Sequence, residues 1–208
     1  MRETSSSSSA ILWSVVSNVS SKNAPLVAGK PIAEILVEGE LSPFEHEALY
    51  KLLKKHFRLE QPSYSELLDE SIGTRVNITF HHPYDLKFFT EILQSDWRDL
   101  KGLFKQIRYR RGRLGAAFRL TFADEKVQLV LSTGLLEDEE LGSAMDQIGH
   151  LTGIVAQMLR PETMTEPLER VETSYDRRTD RWQGFRGFGL NDRKEYVFDD
   201  VLFQWKTR

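Results

Sequence analysis

The chain has no cysteine, and this absence excludes several kinds of site at once. Without thiols there is no disulfide, no thiolate zinc site and no cysteine nucleophile. The absence fits a reducing compartment, so we expect a cytoplasmic protein. Long apolar runs are missing too. None approaches the roughly 18 residues that a membrane-spanning helix needs, and we expect no membrane partner.

An excess of positive charge is also missing. The 208 residues hold 28 Lys and Arg against 31 Asp and Glu, which gives a formal net charge of −3. That balance argues against a wholly basic nucleic-acid binder, so any contact with a polyanion must be local. A hydrophobic share of 40% with 28% charged residues is ordinary for a folded chain, and the length fits one domain or one domain with extensions.

Catalytic and cofactor signatures are absent from the sequence as well. It contains no phosphate-cradling glycine loop, no His-Glu-x-x-His pair and no nucleophile-elbow serine. We therefore predict no cofactor and no metal site, and we favour a protein that is not an enzyme. One enzyme hypothesis is left: His81 and His82 end a strand in "FHHPYD" with Asp85 close by, and strand ends often carry sites. The simpler interpretation places His82 next to Pro83 at the start of a helix.

Two apolar periodicities define the predicted elements. Alternation in "KPIAEILVEGE" and "TRVNITF" predicts strands. In "LSPFEHEALYKLLKKHF", Ser42 is a natural N-cap, Pro43 suits the first helical position and Glu45 completes a capping box. The following stretch, residues 58–73, is predicted as a loop with one helical turn.

The second half continues the same pattern. Leucine and isoleucine at seven-residue intervals predict a helix over 84–110, either continuous or broken at Ser95–Asp96. A hairpin is predicted from 117 to 131, and then a helix that starts in the acidic run at Glu137 and ends before Pro161. Gly149 and Gly153 cost this helix stability, which suggests close backbone packing at these positions.

The order of elements from Thr74 onward predicts the fold. It is strand, helix, strand, strand, helix and a late strand, which matches a ferredoxin-like βαββαβ unit. We predict an α+β two-layer sandwich in which this unit spans 74–160 of a single domain over 30–208. The strand and helix before it are an addition. Residues 1–29 are a mostly flexible Ser-rich tail, 161–181 a polar linker or loop, and 182–208 an aromatic region with a strand or hairpin.

One face of the predicted sheet would be free of helices. If both long helices cover the other side, this face is lined by hydrogen-bonding side chains, among them Arg75, Asn77, Arg119 and Gln128. An antiparallel sheet commonly leaves one side in water. The face is therefore either solvated, or covered by the N-terminal addition or by a second subunit.

The most conspicuous local feature is a basic cluster. Between Lys101 and Arg119 there are seven basic side chains and no acidic one. The candidate ligands for a polyanion are Arg108, Tyr109, Arg110, Arg111, Arg113 and Arg119, because arginine forks fit phosphate and tyrosine stacks on bases. The competing interpretation is a helix end, where cations complement the dipole at about 0.3–1 kcal/mol each.

These observations predict a non-catalytic binding or assembly module. We expect it to form a homo-oligomer or to bind a protein partner, because the heptad-spaced helix and the glycine-containing helix offer surfaces for association. Local nucleic-acid or phospholigand binding through the basic cluster is the alternative. An enzyme with a site near His81–Asp85 is the second alternative.

Overall fold

The structure is a computed structural model that describes residues 29–61, 73–164 and 166–208. In these ranges the chain forms nine strands and four α-helices. The strands are β1 (Ile32–Gly39), β2 (Arg58–Glu60), β3 (Thr74–Phe80), β4 (Ala117–Ala123), β5 (Gln128–Leu135), β6 (Leu168–Asp176), β7 (Arg181–Gly189), β8 (Glu195–Asp199) and β9 (Gln204–Thr207). The helices are α1 (Pro43–Lys54), α2 (Asp96–Arg110), α3 (Asp138–Ile148) and α4 (Thr152–Met158).

All nine strands belong to one mixed sheet, in the order β2-β1-β3-β4-β5-β6-β7-β8-β9. From β3 onward the strands lie side by side in chain order. Three neighbouring pairs are parallel, namely β1 with β2, β3 with β4 and β5 with β6. The other five pairs are antiparallel.

The mixed α and β composition is confirmed, but the ferredoxin-like unit is not. The predicted order of elements is present from β3 to β6. A split βαβ unit, however, places another strand between the two parallel strands that a helix connects. Here β3 pairs directly with β4, with Asn77 opposite Arg119, and β5 pairs directly with β6. A nine-stranded sheet is also larger than the predicted sandwich, because β6 to β9 extend it.

The hydrophobic core lies on one face of this sheet. Alternate strand residues such as Ile78, Leu120 and Leu131 are almost fully buried there. All four helices contribute to the same core cluster through the buried side chains Leu53, Phe104, Met145 and Val155. Burying each such side chain is worth about 1.5–3 kcal/mol, so the described helices are held on this face.

Two tryptophans attach the last strands to the helices. Nε1 of Trp182 on β7 donates to the Ala144 carbonyl of α3 at 2.9 Å, and Nε1 of Trp205 on β9 donates to the Met158 carbonyl of α4 at 2.8 Å. Both indole rings are buried, so each buried N–H has the partner it needs.

The start of α1 is capped as predicted. The Ser42 backbone N–H donates to Glu45 Oε2 at 2.8 Å, and the Glu45 backbone N–H donates to Ser42 Oγ at 3.3 Å. Pro43 occupies the first helical turn. This capping box satisfies two N–H groups that a helix start otherwise leaves unpaired.

The segment 84–110 takes the broken form of the two alternatives. A π-helical turn over Phe88–Ile92 precedes α2, and Gln94 between them has a φ of 45°. Ser95 stands at the predicted break, although its side chain makes no capping hydrogen bond. Leu86, the first residue of the heptad series, is 59% exposed, so the buried series begins at Leu93, just before the break.

The predicted helix from Glu137 to Pro161 is also divided in two. A 3-10 turn over Gly149–Leu151 separates α3 from α4. Close backbone packing is wrong for Gly153, because an added Cβ there would meet nothing within 4 Å. At Gly149 the nearest atom belongs to Phe89 at 3.9 Å, which is ordinary contact.

The C-terminal third differs most from expectation. Residues 161–181 were predicted as a polar linker or loop, but they contain the nine-residue strand β6, so this prediction was wrong. Val171, Thr173 and Tyr175 face the core while charged residues face outward. The last hairpin is confirmed, with β8 and β9 pairing at Asp199 and Gln204. Of the loop with one helical turn predicted over 58–73, residues 58–60 instead form β2, while 62–72 and almost all of the 1–29 tail lie outside the described residues.

Candidate functional site

Arg108, the first arginine of the predicted cluster, is a buried structural residue. It is 8% exposed and lies near the end of α2. Its Nη1 donates to the Gly112 carbonyl at 3.0 Å, its Nη2 to Glu137 Oε2 at 2.7 Å, and its Nε to the Leu136 carbonyl. The guanidinium therefore ties the end of α2 to the chain just before α3.

Arg111 forms an ion pair with a fully buried carboxylate. Its Nη2 lies 2.7 Å from Oε2 of Glu45, whose side chain is fully buried in α1, and its Nε donates to Thr74 Oγ1 at 2.8 Å. Burial raises the pKa of Glu45, but hydrogen bonds from Arg111 and Ser42 outweigh burial and hold that pKa below its ordinary value. Arg111 thus keeps a buried carboxylate charged and joins α1, α2 and β3.

The other members of the cluster reach solvent. Tyr109 is 75% exposed. Arg110 lies with its Cζ 5.9 Å from the ring centre of Phe44 and its Nη1 3.7 Å from Glu45 Oε1. Arg113 is exposed and forms no ion pair within the described ranges. Polyanion binding at the end of α2 stays a prediction, and it would depend on these three side chains.

Arg119, the last member of the cluster, lies in a different place. It belongs to β4 and faces away from the core, on the side of the sheet where the described ranges have no helix. We call this side the open face. Its side chains include Arg75, Asn77, Thr79, Arg119, Thr121, Gln128, Val130, Ser132, Arg170, Glu172, Ser174, Arg186, Phe188, Glu195 and Val197.

Arginines and glutamates alternate across the last strands of the open face. Glu172 on β6 lies 3.0 Å from Arg170 and 3.3 Å from Arg186, and Glu195 on β8 lies 3.8 Å from Arg186 and 3.0 Å from Arg208. The side chains of Arg170 and Arg186 are 43% and 50% exposed to solvent. Arg170 also lies over the Phe188 ring, 4.5 Å from its centre.

Two buried polar atoms on the open face lack hydrogen bonds. Within the described residues, Oδ1 of Asn77 on β3 and Nε of Arg170 on β6 are shielded from solvent and have no partner. Such atoms are rare in folded proteins and each one calls for an explanation. Their position shows that the hydrogen bonding of this face is incomplete.

A small depression opens on the same face between β5, β6 and β7. Its volume is about 120 Å³, and Arg119, Ser132, Glu172, Ser174 and Arg186 are among the residues that line it. The pairing of β6 with β7 shifts by one residue between Glu172 and Ser174, and Gly184 on β7 has a φ of 67°. Bulges of this kind often occur beside binding sites, because they redirect side chains.

The residues of the enzyme hypothesis each have a local partner. Nε2 of His81 lies 2.8 Å from Glu34 Oε1, and Nδ1 of His82 lies 2.8 Å from the carbonyl of Pro83. Asp85 Oδ1 accepts from the backbone N–H of Phe88 at 2.9 Å, which caps the helical turn. These contacts account for all three residues without a reaction.

One cluster of titratable residues was not predicted from the sequence. Asp96, at the start of α2, accepts from Nε2 of His56 at 2.6 Å and from Nζ of Lys55 at 3.0 Å. The hydrogen bonds from His56 and Lys55 hold the pKa of Asp96 below its ordinary value. The two halves of this cluster are 40 residues apart in the chain, and no motif marks either half.

Comparisons with family models, with curated proteins and with solved structures found no match for this chain. Among the described residues, no helix is long and apolar enough to cross a membrane. Nor do the described ranges bring together three or more histidine, aspartate or glutamate side chains that could hold a metal ion.

Proposed function

We propose that the protein is a non-catalytic assembly module that associates with a second copy of itself through the open face. The observation that carries this proposal is the one-sided placement of the helices. Their apolar stripes are used in the chain's own core, so they do not offer the association surface that their sequence periodicity suggests. Among the described residues, the sheet offers a broad face that no helix covers.

The size of the open face supports this proposal. Nine strands at a spacing of about 4.8 Å and strands of about 20 Å give a projected area of roughly 750 Å². A stable interface of standard size buries about 800 Å² on each partner. One sheet face packed against its copy would therefore supply enough surface for a specific dimer.

The chemistry of the open face indicates what kind of association to expect. Arginine is enriched in interfaces between proteins, and Arg170 and Phe188 already form one stacked pair. Because charged side chains line the last strands, a contact between two copies would involve charges, and we expect a reversible dimer that weakens as salt is added.

Two matched substitutions test the proposal. Val197 lies on the open face and Ile154 on α4; both are β-branched and exposed, at 36% and 48%. Sedimentation velocity over a wide range of protein concentration should show a dimer for the unmodified chain. Val197→Glu should weaken it by about tenfold or more, because a charged side chain would replace an apolar one within the contact. Ile154→Glu should leave it unchanged.

Two results would contradict the proposal. One is a single-chain mass for the unmodified protein at every concentration. The other is dissociation by Ile154→Glu with no effect of Val197→Glu, which would move the contact to the helical side.

A further inference from the structure

The depression between β5, β6 and β7 has the dimensions of a site for one small group. Its volume of about 120 Å³ is several times the roughly 10–15 Å³ that one water molecule requires. A single tetrahedral oxyanion needs a space of this order. The pairing of β6 with β7 shifts at the depression, and Gly184, which lines it, has a left-handed backbone conformation. The path of the strands therefore helps to shape the depression.

We propose that this depression binds one oxyanion, of the class of a phosphate monoester. The donors come from the four adjacent strands β4 to β7. Arg119 and Arg186 supply guanidinium groups, and Ser132 and Ser174 stand directly opposite each other in register. Within the described part of the chain, neither serine hydroxyl has a hydrogen-bond partner, so both can donate to a ligand.

The charges around the depression favour an anion. Glu172 also lines it, but Arg170 and Arg186 lie 3.0 and 3.3 Å from this carboxylate and offset its charge. Arg186 contacts Glu172 and Glu195 at 3.3 and 3.8 Å, and a guanidinium has five N–H donors to distribute. Hydrogen bonds between a guanidinium and an oxyanion are charge-assisted and roughly twice as strong as neutral ones.

The surroundings select a single phosphate group over a nucleic-acid strand. A strand carries a phosphate at every nucleotide and needs a continuous positive track. Glu172 and Glu195 interrupt any such track across the last strands. A monoester with its single terminal phosphate would avoid these carboxylates. The depression lies on the same open face as the proposed dimer contact, so the site is proposed for the single chain, in which that face is exposed.

Titration calorimetry can test this site directly. Inorganic phosphate and glycerol 3-phosphate would each be titrated into the protein, at an ionic strength held constant with chloride. The protein would be dilute enough to show a single-chain mass. We expect both ligands to bind, and Arg186→Gln to weaken binding by about tenfold or more. The double variant Ser132→Ala, Ser174→Ala should weaken it as well.

The matched control is Arg113→Gln, which removes an exposed arginine at the end of α2 and should leave phosphate binding unchanged. Arg186 is half-exposed, so Arg186→Gln should keep the unmodified chain's melting temperature, which checks that it folds. Three results would overturn the proposal: no phosphate binding by the unmodified chain, equal binding by Arg186→Gln, or phosphate binding that Arg113→Gln abolishes. The last result would assign anion binding to the helix end.

Discussion

Arg108 and Arg111 at the end of α2 have side chains that are 9% and 15% exposed, whereas Arg170 and Arg186 on the open face are 43% and 50% exposed. The first pair donates to carbonyls and to a buried carboxylate, and these contacts join helices to strands. Both members of the second pair contact Glu172, and Arg186 also contacts Glu195. Arginine thus joins elements of the fold at the end of α2, whereas on the open face it is partly exposed.

The arginines at the end of α2 and those on the open face should differ most in their contribution to the free energy of unfolding. Arg111→Gln leaves the buried Glu45 carboxylate without its main counter-charge, so the free energy of unfolding should fall by about 3–5 kcal/mol. Denaturant titration measures this loss. Arg113→Gln is the control and should change stability by less than about 0.5 kcal/mol, because Arg113 is exposed. If Arg111→Gln and Arg113→Gln lowered the free energy of unfolding equally, the structural role assigned to Arg111 would be wrong.

Arg108→Gln should have the next largest effect. The shorter side chain cannot reach the Leu136 and Gly112 carbonyls together, so acceptors near the α2–α3 connection lose their donors. We expect a loss of about 1–3 kcal/mol in the same titration. A change below the error of the measurement would mean that water replaces these hydrogen bonds without cost.

A fall in pH should weaken the contacts at the end of α2, because they include the Glu45 carboxylate. The pKa of this carboxyl is below its ordinary value in the folded chain, so its contribution to stability is present above about pH 4. That contribution is lost as the pH falls from there through the folded pKa. The stability gap between the unmodified chain and Glu45→Gln should therefore narrow below about pH 4. A gap that stays constant across that range would contradict the assigned ionisation of Glu45.

The smallest effect on stability is expected on the open face. Exposed ion pairs contribute about 0–1 kcal/mol, so Arg186→Gln should change the free energy of unfolding by less than about 1 kcal/mol. Its effect should appear in ligand binding. A loss comparable to that of Arg111→Gln would show that the arginines of the face are structural too.

Local chemistry explains which parts of the fold the sequence predicts. The capping box at Ser42 and Glu45 and the alternation around Ile78 depend on residues within one element, so short patterns reveal them. Strand β6 was missed because charged residues such as Glu169 and Glu172 alternate with its buried ones, and a bulge interrupts the alternation. The order of strands in the sheet is set by packing between distant segments, which no local pattern encodes.

The same limit applies to the candidate sites. Arg111 and Glu45 are 66 residues apart in the chain, so the buried partner of that arginine could not be predicted from its neighbours. The depression around Ser132 and Ser174 depends on the pairing of β5 with β6, and the sequence alone gave no sign of that pairing. The sequence places Arg119 in the basic cluster at the end of α2. In the structure it lies on the open face, on the other side of the sheet from that helix.

Hydroxyl-radical labelling followed by mass spectrometry tests the central claim, that the open face is the contact surface, without any substitution. The protein would be labelled at low and at high concentration, and side-chain oxidation compared at Phe188 and Val197 on the open face and at Tyr109 and Ile154 on the helical side. We predict that higher concentration protects Phe188 and Val197 and leaves Tyr109 and Ile154 unchanged. Protection of Tyr109 or Ile154 alone, or no protection at any of the four, would contradict association through the open face.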